Sequence, residues 1–93
     1  MNRIEAASIL RGYLEQYRAR SYDRLKQLVG SPQTDEMVGP SGTHYQIEVQ
    51  LFPDDRHSGN LRVLGAIDGG GISSFRPLTD DFIMAPDGSF VGE

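Results

Sequence analysis

The stretch HYQIEVQL, residues 44–51, alternates strictly between polar and apolar side chains. Successive side chains of a β-strand point to opposite faces, so the pattern predicts a strand with one face in the core and the other in water. Antiparallel sheets commonly leave one face solvated in this way. The water-facing side of the predicted strand carries four polar residues: His44, Gln46, Glu48 and Gln50.

Segments on both sides of this stretch also predict strands. Residues 35–38 can pair with it across the turn 39–42, and residues 61–68 follow the turn-forming loop 53–60. The segment 61–68 has apolar residues on both of its faces, which predicts a central strand that is partly buried on both sides. After a glycine turn at 69–71, three further strand segments are expected: 72–76, 82–85 and 89–91.

The first thirty residues predict two helices. Apolar residues recur there with the 3.6-residue period of an amphipathic helix, at Ile9, Leu10, Tyr13, Leu14 and Tyr17. Ser21 has the side chain of an N-cap, which predicts a second, short helix over 22–29, and Gly30 is suited to end it. Helices followed by hairpin-joined strands predict an α+β fold. We expect a single domain, 1–93, in which one long and one short N-terminal helix pack on one face of a four- to five-stranded antiparallel sheet.

Composition excludes several classes of protein. The 93 residues include no Cys, which excludes a disulfide framework, a thiolate metal site and a Cys nucleophile. The longest apolar run is the four residues 82–85, far short of a membrane-spanning segment. The N-terminus lacks the apolar region of a secretory signal. The expected location is therefore the cytoplasm.

Charge is distributed unevenly along the chain. Residues 1–30 have a net charge of +3 and residues 31–93 a net charge of −7, which gives the total of −4. The two layers can simply attract each other, or the basic residues can contact an acidic partner or a nucleic acid. The sequence pI of about 5.0 argues against nucleic acid as the partner. The residues that such a contact would use are Arg11, Arg18, Arg20, Arg24 and Lys26.

Four residues are candidates for binding a small molecule. Tyr13 and Tyr17 can leave their hydroxyls at the rim of the helix stripe, and Asp80 and Asp81 form an acidic pair whose pKa an apolar pocket would raise. Together they would line a cone-like pocket between helix and sheet, either of a binding protein or of an enzyme. Two simpler interpretations stay open: buried tyrosine rings, and a helix cap at Thr79 or Asp80.

No cofactor, metal or catalytic residue is expected. The loop 54–57 contains Asp54, Asp55 and His57, but it lacks the distal Glu of a calcium loop, and the chain has one other His for zinc. The glycine run 69–71 lacks the Gly-Lys-Ser/Thr ending of a phosphate loop. The leading hypothesis is therefore a non-enzymatic binding or protein-interaction module. Its partner would be a second copy or another protein, bound at a sheet edge or at the polar face of 44–51.

The C-terminal segment FRPLTDDFIMAPDGSFVGE, residues 75–93, resembles the tail of a group of small uncharacterised bacterial proteins. The resemblance extends over the chain and implies a bacterial helix-plus-antiparallel-sheet protein with no known activity. In element order, the chain is also similar to nuclear transport factor two-like and cystatin-like folds. That similarity implies the space between helix and sheet as the place to look for a ligand.

Overall fold

The computed structural model describes residues 2–69 and 76–93. In chain order, its elements are α1 (Arg3–Arg18), α2 (Tyr22–Lys26), β1 (Gln33–Val38), β2 (His44–Pro53), β3 (Leu61–Asp68) and β4 (Leu78–Met84). Each strand pairs antiparallel with the next one along the chain, which gives the sheet order β1-β2-β3-β4. The predicted α+β fold, with a long and a short helix packed on an antiparallel sheet, is confirmed. None of the described helices combines the length and the apolar character needed to cross a bilayer.

Both helices begin at capped N-termini. Asn2 caps α1 by accepting a hydrogen bond from the Glu5 backbone N–H at 3.0 Å, and Ser21 caps α2 by accepting one from Arg24 at 3.2 Å. The second helix is shorter than predicted. It ends at Lys26, because the following residues, 27–30, form a turn closed by bonds such as Leu28 N–H to Leu25 O at 2.9 Å. Such tighter bonds commonly satisfy the last carbonyls of a helix.

The hydrophobic core lies between the helices and one face of the sheet, here called the helix face. The sheet contributes Tyr45, Ile47, Val49, Leu51, Leu61, Val63, Ile67, Phe82 and Met84 to this core. The helices contribute Ala6, Leu10, Leu14, Tyr17 and Leu25. The alternation in residues 44–51 therefore places the apolar side chains in the core, as the sequence predicts.

Helix α1 approaches the sheet most closely at Gly65 of β3. A Cβ atom at this position would lie 2.9 Å from Leu10 Cδ1 and 3.1 Å from Leu14 Cδ2. The absence of a side chain at Gly65 therefore allows Leu10 and Leu14 of α1 to pack directly against the backbone of β3. The glycine inside α1, Gly12, has open space around it and is not a point of close approach.

The C-terminal strands differ from the sequence prediction. Strand β4 begins at Leu78 and includes Asp80 and Asp81, where a loop or a short capped helix was expected. Pairing with β3 imposes the strand conformation, since cross-strand contacts override weak local preference. The predicted strand 89–91 is reduced to a bridge between Met84 and Phe90, with the Val91 N–H donating to Ile83 O at 2.9 Å. The predicted strand 72–76 and glycine turn 69–71 fall largely outside the described residues.

Candidate functional site

The second face of the sheet is not covered by any described helix, and it is here called the open face. Strand pairing arranges its side chains in rows that cross the sheet. From one end to the other, the rows are Phe52–Arg62–Ile83, Gln50–Leu64–Asp81, Thr34–Glu48–Ala66–Thr79, Glu36–Gln46–Asp68 and Val38–His44.

The four polar residues predicted as an interaction face all lie on the open face of β2. His44, Gln46, Glu48 and Gln50 alternate with buried neighbours and are exposed to solvent. The Gln50 side-chain amide donates to Glu48 Oε1 at 2.8 Å, so these two side chains support each other along the strand. The sequence pattern thus locates this surface correctly, and the use of the surface for binding stays a prediction.

One end of the open face is apolar. Phe52, Leu64 and Ile83 are half-buried there and surround Arg62. The guanidinium of Arg62 is bound to two carboxylates: Nε donates to Asp54 Oδ1 at 3.0 Å, and Nη1 donates to Asp81. The hydrogen bond that Arg62 donates to Asp54 is the largest of the effects that raise the pKa of Arg62. The cation at this end is therefore neutralised inside the molecule, and it lies among the apolar side chains of Phe52, Leu64 and Ile83.

Toward the other end of the open face, two successive rows are acidic, and they precede the last row, Val38–His44. Gln46 lies between Glu36 and Asp68 in one row, and Glu48 stands in the next row beside Ala66. Side chains directly opposite each other in neighbouring strands have Cβ atoms about 5 Å apart, so these groups form one continuous surface. They border a shallow depression of about 720 Å³, and the described residues of its lining include no Lys or Arg. Within residues 2–69 and 76–93, no group of three or more His, Asp or Glu is arranged to hold a metal ion.

The tyrosines predicted to line a small-molecule pocket take part in packing. Tyr17 is buried in the core, and the half-buried Tyr13 lies beside it with ring centroids 5.9 Å apart. The Tyr13 hydroxyl donates to Asp35 Oδ2 at 3.3 Å, which joins α1 to β1. Burial, followed by the influence of Tyr17 and Asp35, raises the pKa of Tyr13 to about 12. Their placement matches the simpler interpretation of both residues as core rings with hydroxyls at the rim.

The two aspartates predicted for the same pocket lie on opposite faces of β4. Asp80 pairs with Gly65 on the helix face, whereas Asp81 pairs with Leu64 on the open face and binds Arg62. Consecutive strand residues must separate in this way. Asp80 and Asp81 nevertheless both border an open cleft of about 340 Å³ between α1 and β4, whereas Tyr13 and Tyr17 are not part of its lining. The four predicted residues therefore do not share one space.

Two of the basic residues of the first thirty are used in intramolecular contacts. The guanidinium of Arg18 lies 3.9 Å from the centroid of the Phe90 ring and forms an ion pair with Glu93, which holds the C-terminal residues against α1. The guanidinium of Arg20 lies 4.4 Å from the centroid of the Tyr17 ring. The other three residues of the predicted nucleic-acid contact, Arg11, Arg24 and Lys26, are exposed. Some of the basic side chains of residues 1–30 therefore stabilise the fold.

The loop 54–57 is organised by its own hydrogen bonds. Asp54 binds Arg62, and Asp55 Oδ1 accepts bonds from the backbone N–H groups of Ser58 at 2.7 Å and His57 at 2.8 Å. The Ser58 N–H bond is the first of the interactions that hold the pKa of Asp55 below its usual value. These carboxylates therefore have structural partners, which agrees with a turn rather than a metal loop.

Sequence reasoning missed the apolar end of the open face. It placed Arg62 and Leu64 correctly on the second face of a central strand, and the alternating burial of β3 confirms that placement. The sequence pattern did not predict that Phe52 and Ile83 lie next to Arg62 on this face. The available signal was the hairpin register: the turn-forming loop 53–60 sets Phe52 opposite Arg62.

Comparison with known proteins finds no matching protein-family model, no matching curated protein and no matching solved structure. The resemblance of residues 75–93 to small bacterial proteins therefore stays a prediction, and function is argued from the two faces of the sheet.

Proposed function

We propose that this protein is a small non-enzymatic interaction module that binds another protein through the open face of its sheet. The observation that carries the proposal is the composition of the central strand. On the helix face, Val63 and Ile67 are completely buried. On the open face, Leu64 and Ala66 are only half-buried, and no described element packs over them. Apolar side chains at the centre of an uncovered, rigid sheet are a surface that a partner can cover.

The arrangement of polar residues around this centre supports the proposal. A sheet face that only meets water is expected to be polar at every position, as β2 is at residues 44–50. The open face instead has Phe52, Leu64 and Ile83 on three neighbouring strands, bordered by Gln50 and Asp81. A group of apolar side chains bordered by polar ones is also what protein–protein interfaces contain.

The two other functions suggested by the sequence have less support. A small-molecule pocket between helix and sheet needs enclosed space, but Leu10 and Leu14 pack directly onto Gly65. The cleft of about 340 Å³ at the edge of α1 and β4 is open to solvent and contains the Arg18–Glu93 ion pair. A nucleic-acid contact through the first thirty residues needs free cations, but Arg18 and Arg20 are engaged with Glu93 and Tyr17. Binding at the open face requires none of these contacts to break.

Site-specific photo-crosslinking in the native host tests the proposal. A photoreactive residue is placed at Gln50, which is exposed beside Leu64, and in a control protein at Ser8, which is exposed on the outer side of α1. We expect a defined protein adduct from position 50 that is missing from position 8. The same adducts from both positions, or no adduct from position 50, would contradict the proposal. An adduct with the mass of two copies would identify the partner as a second copy.

A further inference from the structure

The open face changes character along its length. Its first two rows contain Phe52, Ile83 and Leu64, the next two contain Glu48 and Glu36, and the last row is Val38–His44. Moving along β2 from Phe52 to Gln46 therefore leads from apolar to acidic surface. A partner that covers the whole face must change its own chemistry in the same direction.

The dimensions of the face suit a single helix. Six residues separate Phe52 from Gln46, which corresponds to about 20 Å along a strand and to about 13 residues of α-helix. Three strand spacings make the sheet about 14 Å wide, and a helix with its side chains is about 10 Å across. Helix α1, with 16 residues, already occupies the opposite face of the same sheet.

The centre of the face permits close approach. Ala66 stands between Glu48 and Thr79 in the middle row, directly next to Gly65, onto which α1 packs from the other side. The small side chain of Ala66 contributes to the depression at this point. A helix can therefore pack against β3 on the open face, as α1 packs against Gly65 on the helix face.

The charge of the open face determines which charge its partner must carry. Glu36 and Glu48 are exposed, and among the open-face positions of the four strands the one Lys or Arg is Arg62, which is bound to Asp54 and Asp81. The acidic rows therefore attract cationic side chains and repel anionic ones. A helix seated on this face needs basic residues over Glu36 and Glu48.

A second copy of the chain does not provide this chemistry. Two open faces related by a two-fold axis bring acidic residues of both copies to one interface, which costs free energy. The exposed side of α1 carries Arg3 and Arg11, but Glu15 follows Arg11 by one turn, and Arg18 is paired with Glu93, so this helix has no succession of free basic residues over its last two turns. A partner with basic residues on successive turns therefore fits this face better than a second copy does.

We infer that the open face binds an amphipathic helix of another protein, about 13 residues long, whose contacting side is apolar over Phe52 and Leu64 and basic over Glu48 and Glu36. This inference rests on the proposed function and adds the chemistry and the orientation of the partner. The helix lies along β2 and β3, with its basic end toward the row of Gln46.

Two synthetic helical peptides test the inference with the full-length protein. Both have Leu and Ala on one side of their first two turns, and the same side of the last two turns carries Lys in one peptide and Glu in the other. Binding is measured by calorimetry and mapped by backbone amide shifts. We expect the Lys peptide to shift the amides of Leu64, Ala66 and Glu48, and to bind at least about tenfold more tightly than the Glu peptide.

Variants of matched charge locate the effect. Glu48→Lys should weaken binding of the Lys peptide about tenfold, whereas Glu15→Lys, the same charge change on the outer side of α1, should alter it less than about twofold. Amide spectra of both variants establish that the fold is intact. Equal binding of the two peptides, shifts outside the open face, or no binding of the Lys peptide would overturn the inference. A cross-linked partner at Gln50 that lacks a basic amphipathic helix would overturn it as well, and would leave the proposed function in place.

Discussion

The two faces of strand β3 share one backbone and differ in what covers them. On the helix face, Val63 and Ile67 are 0% exposed and Gly65 admits the leucines of α1. On the open face, Leu64 and Ala66 are half-buried, although they are apolar and lie in the middle of the sheet. Strand β3 therefore has the composition of a strand that is buried on both faces, whereas the described part of the fold covers only one of them.

Truncating one side chain on each face should give the largest contrast. We expect Ile67→Ala to lower the free energy of unfolding by about 2–5 kcal/mol, because it leaves a cavity under α1. Leu64→Ala removes a half-exposed side chain and should cost about 1 kcal/mol. Urea denaturation of both variants measures the difference. Equal costs would mean that the open face is as well packed as the helix face.

Enlarging one side chain on each face should give the next contrast. Gly65→Val places methyl groups where Leu10 and Leu14 now pack, and overpacking of this kind costs about 1–3 kcal/mol. Ala66→Val extends into the depression of the open face and should change stability by less than about 0.5 kcal/mol. A strongly destabilised Ala66→Val protein would show that this side of β3 has no room for an approaching helix. Thermal unfolding of the pair measures both effects.

An acid titration tests what holds α1 on the helix face. Glu5 Oε1 accepts bonds from Ser41 Oγ and the Tyr45 hydroxyl, both at 2.8 Å, which ties the start of α1 to the turn between β1 and β2. These bonds, that of Ser41 first, hold the pKa of Glu5 below its usual value. Their stabilising effect is therefore present above the pKa of Glu5 in the unfolded chain and is lost as the pH falls through its folded value.

Glu5→Gln should remove this part of the acid sensitivity. We expect the wild-type protein to be more stable than the variant at neutral pH, and the difference to shrink as the pH is lowered through the carboxylate range. Unfolding free energies measured at a series of pH values give the result. A difference that stays constant with pH would contradict the assigned role of the Glu5 carboxylate.

The smallest effect concerns Tyr13 at the edge of the helix face. Its folded pKa of about 12 lies above that of an unfolded tyrosine, so the stabilisation is complete below about pH 10 and is lost as the pH rises through 12. Asp35→Asn removes one of the lesser causes of the shift and should lower the pKa of Tyr13 slightly. Ultraviolet titration of tyrosinate absorbance measures it. An unchanged titration would show that the contact between Tyr13 and Asp35 contributes nothing.

The sequence predicts the helix face well because periodicity records burial directly. The alternation from His44 to Leu51 and the helical stripe from Ile9 to Tyr17 each identify a side that must leave water, and the structure buries both. These two patterns suffice for the fold class. The end of α2 at Lys26 is less predictable, because 27–29 satisfy the same pattern in a turn.

The open face is less predictable because it depends on register. Phe52 and Ile83 meet around Arg62 only once β3 is paired on both sides, and no local pattern contains that information. Asp80 and Asp81 illustrate the same limit. Their adjacency suggested one acidic site, but the strand conformation that β3 imposes sends their side chains to opposite faces.

Carboxylate footprinting tests the central claim most directly, namely that a partner covers the open face and leaves the helices free. Glu48 and Glu15 are both exposed, one on the open face and one on the outer side of α1. Each is labelled with a carbodiimide and an amine, first in the purified protein and then in the protein's native extract. We expect Glu48 to be protected from labelling in the extract, whereas the labelling of Glu15 should stay the same. Unchanged labelling of Glu48, or equal protection of both residues, would contradict it.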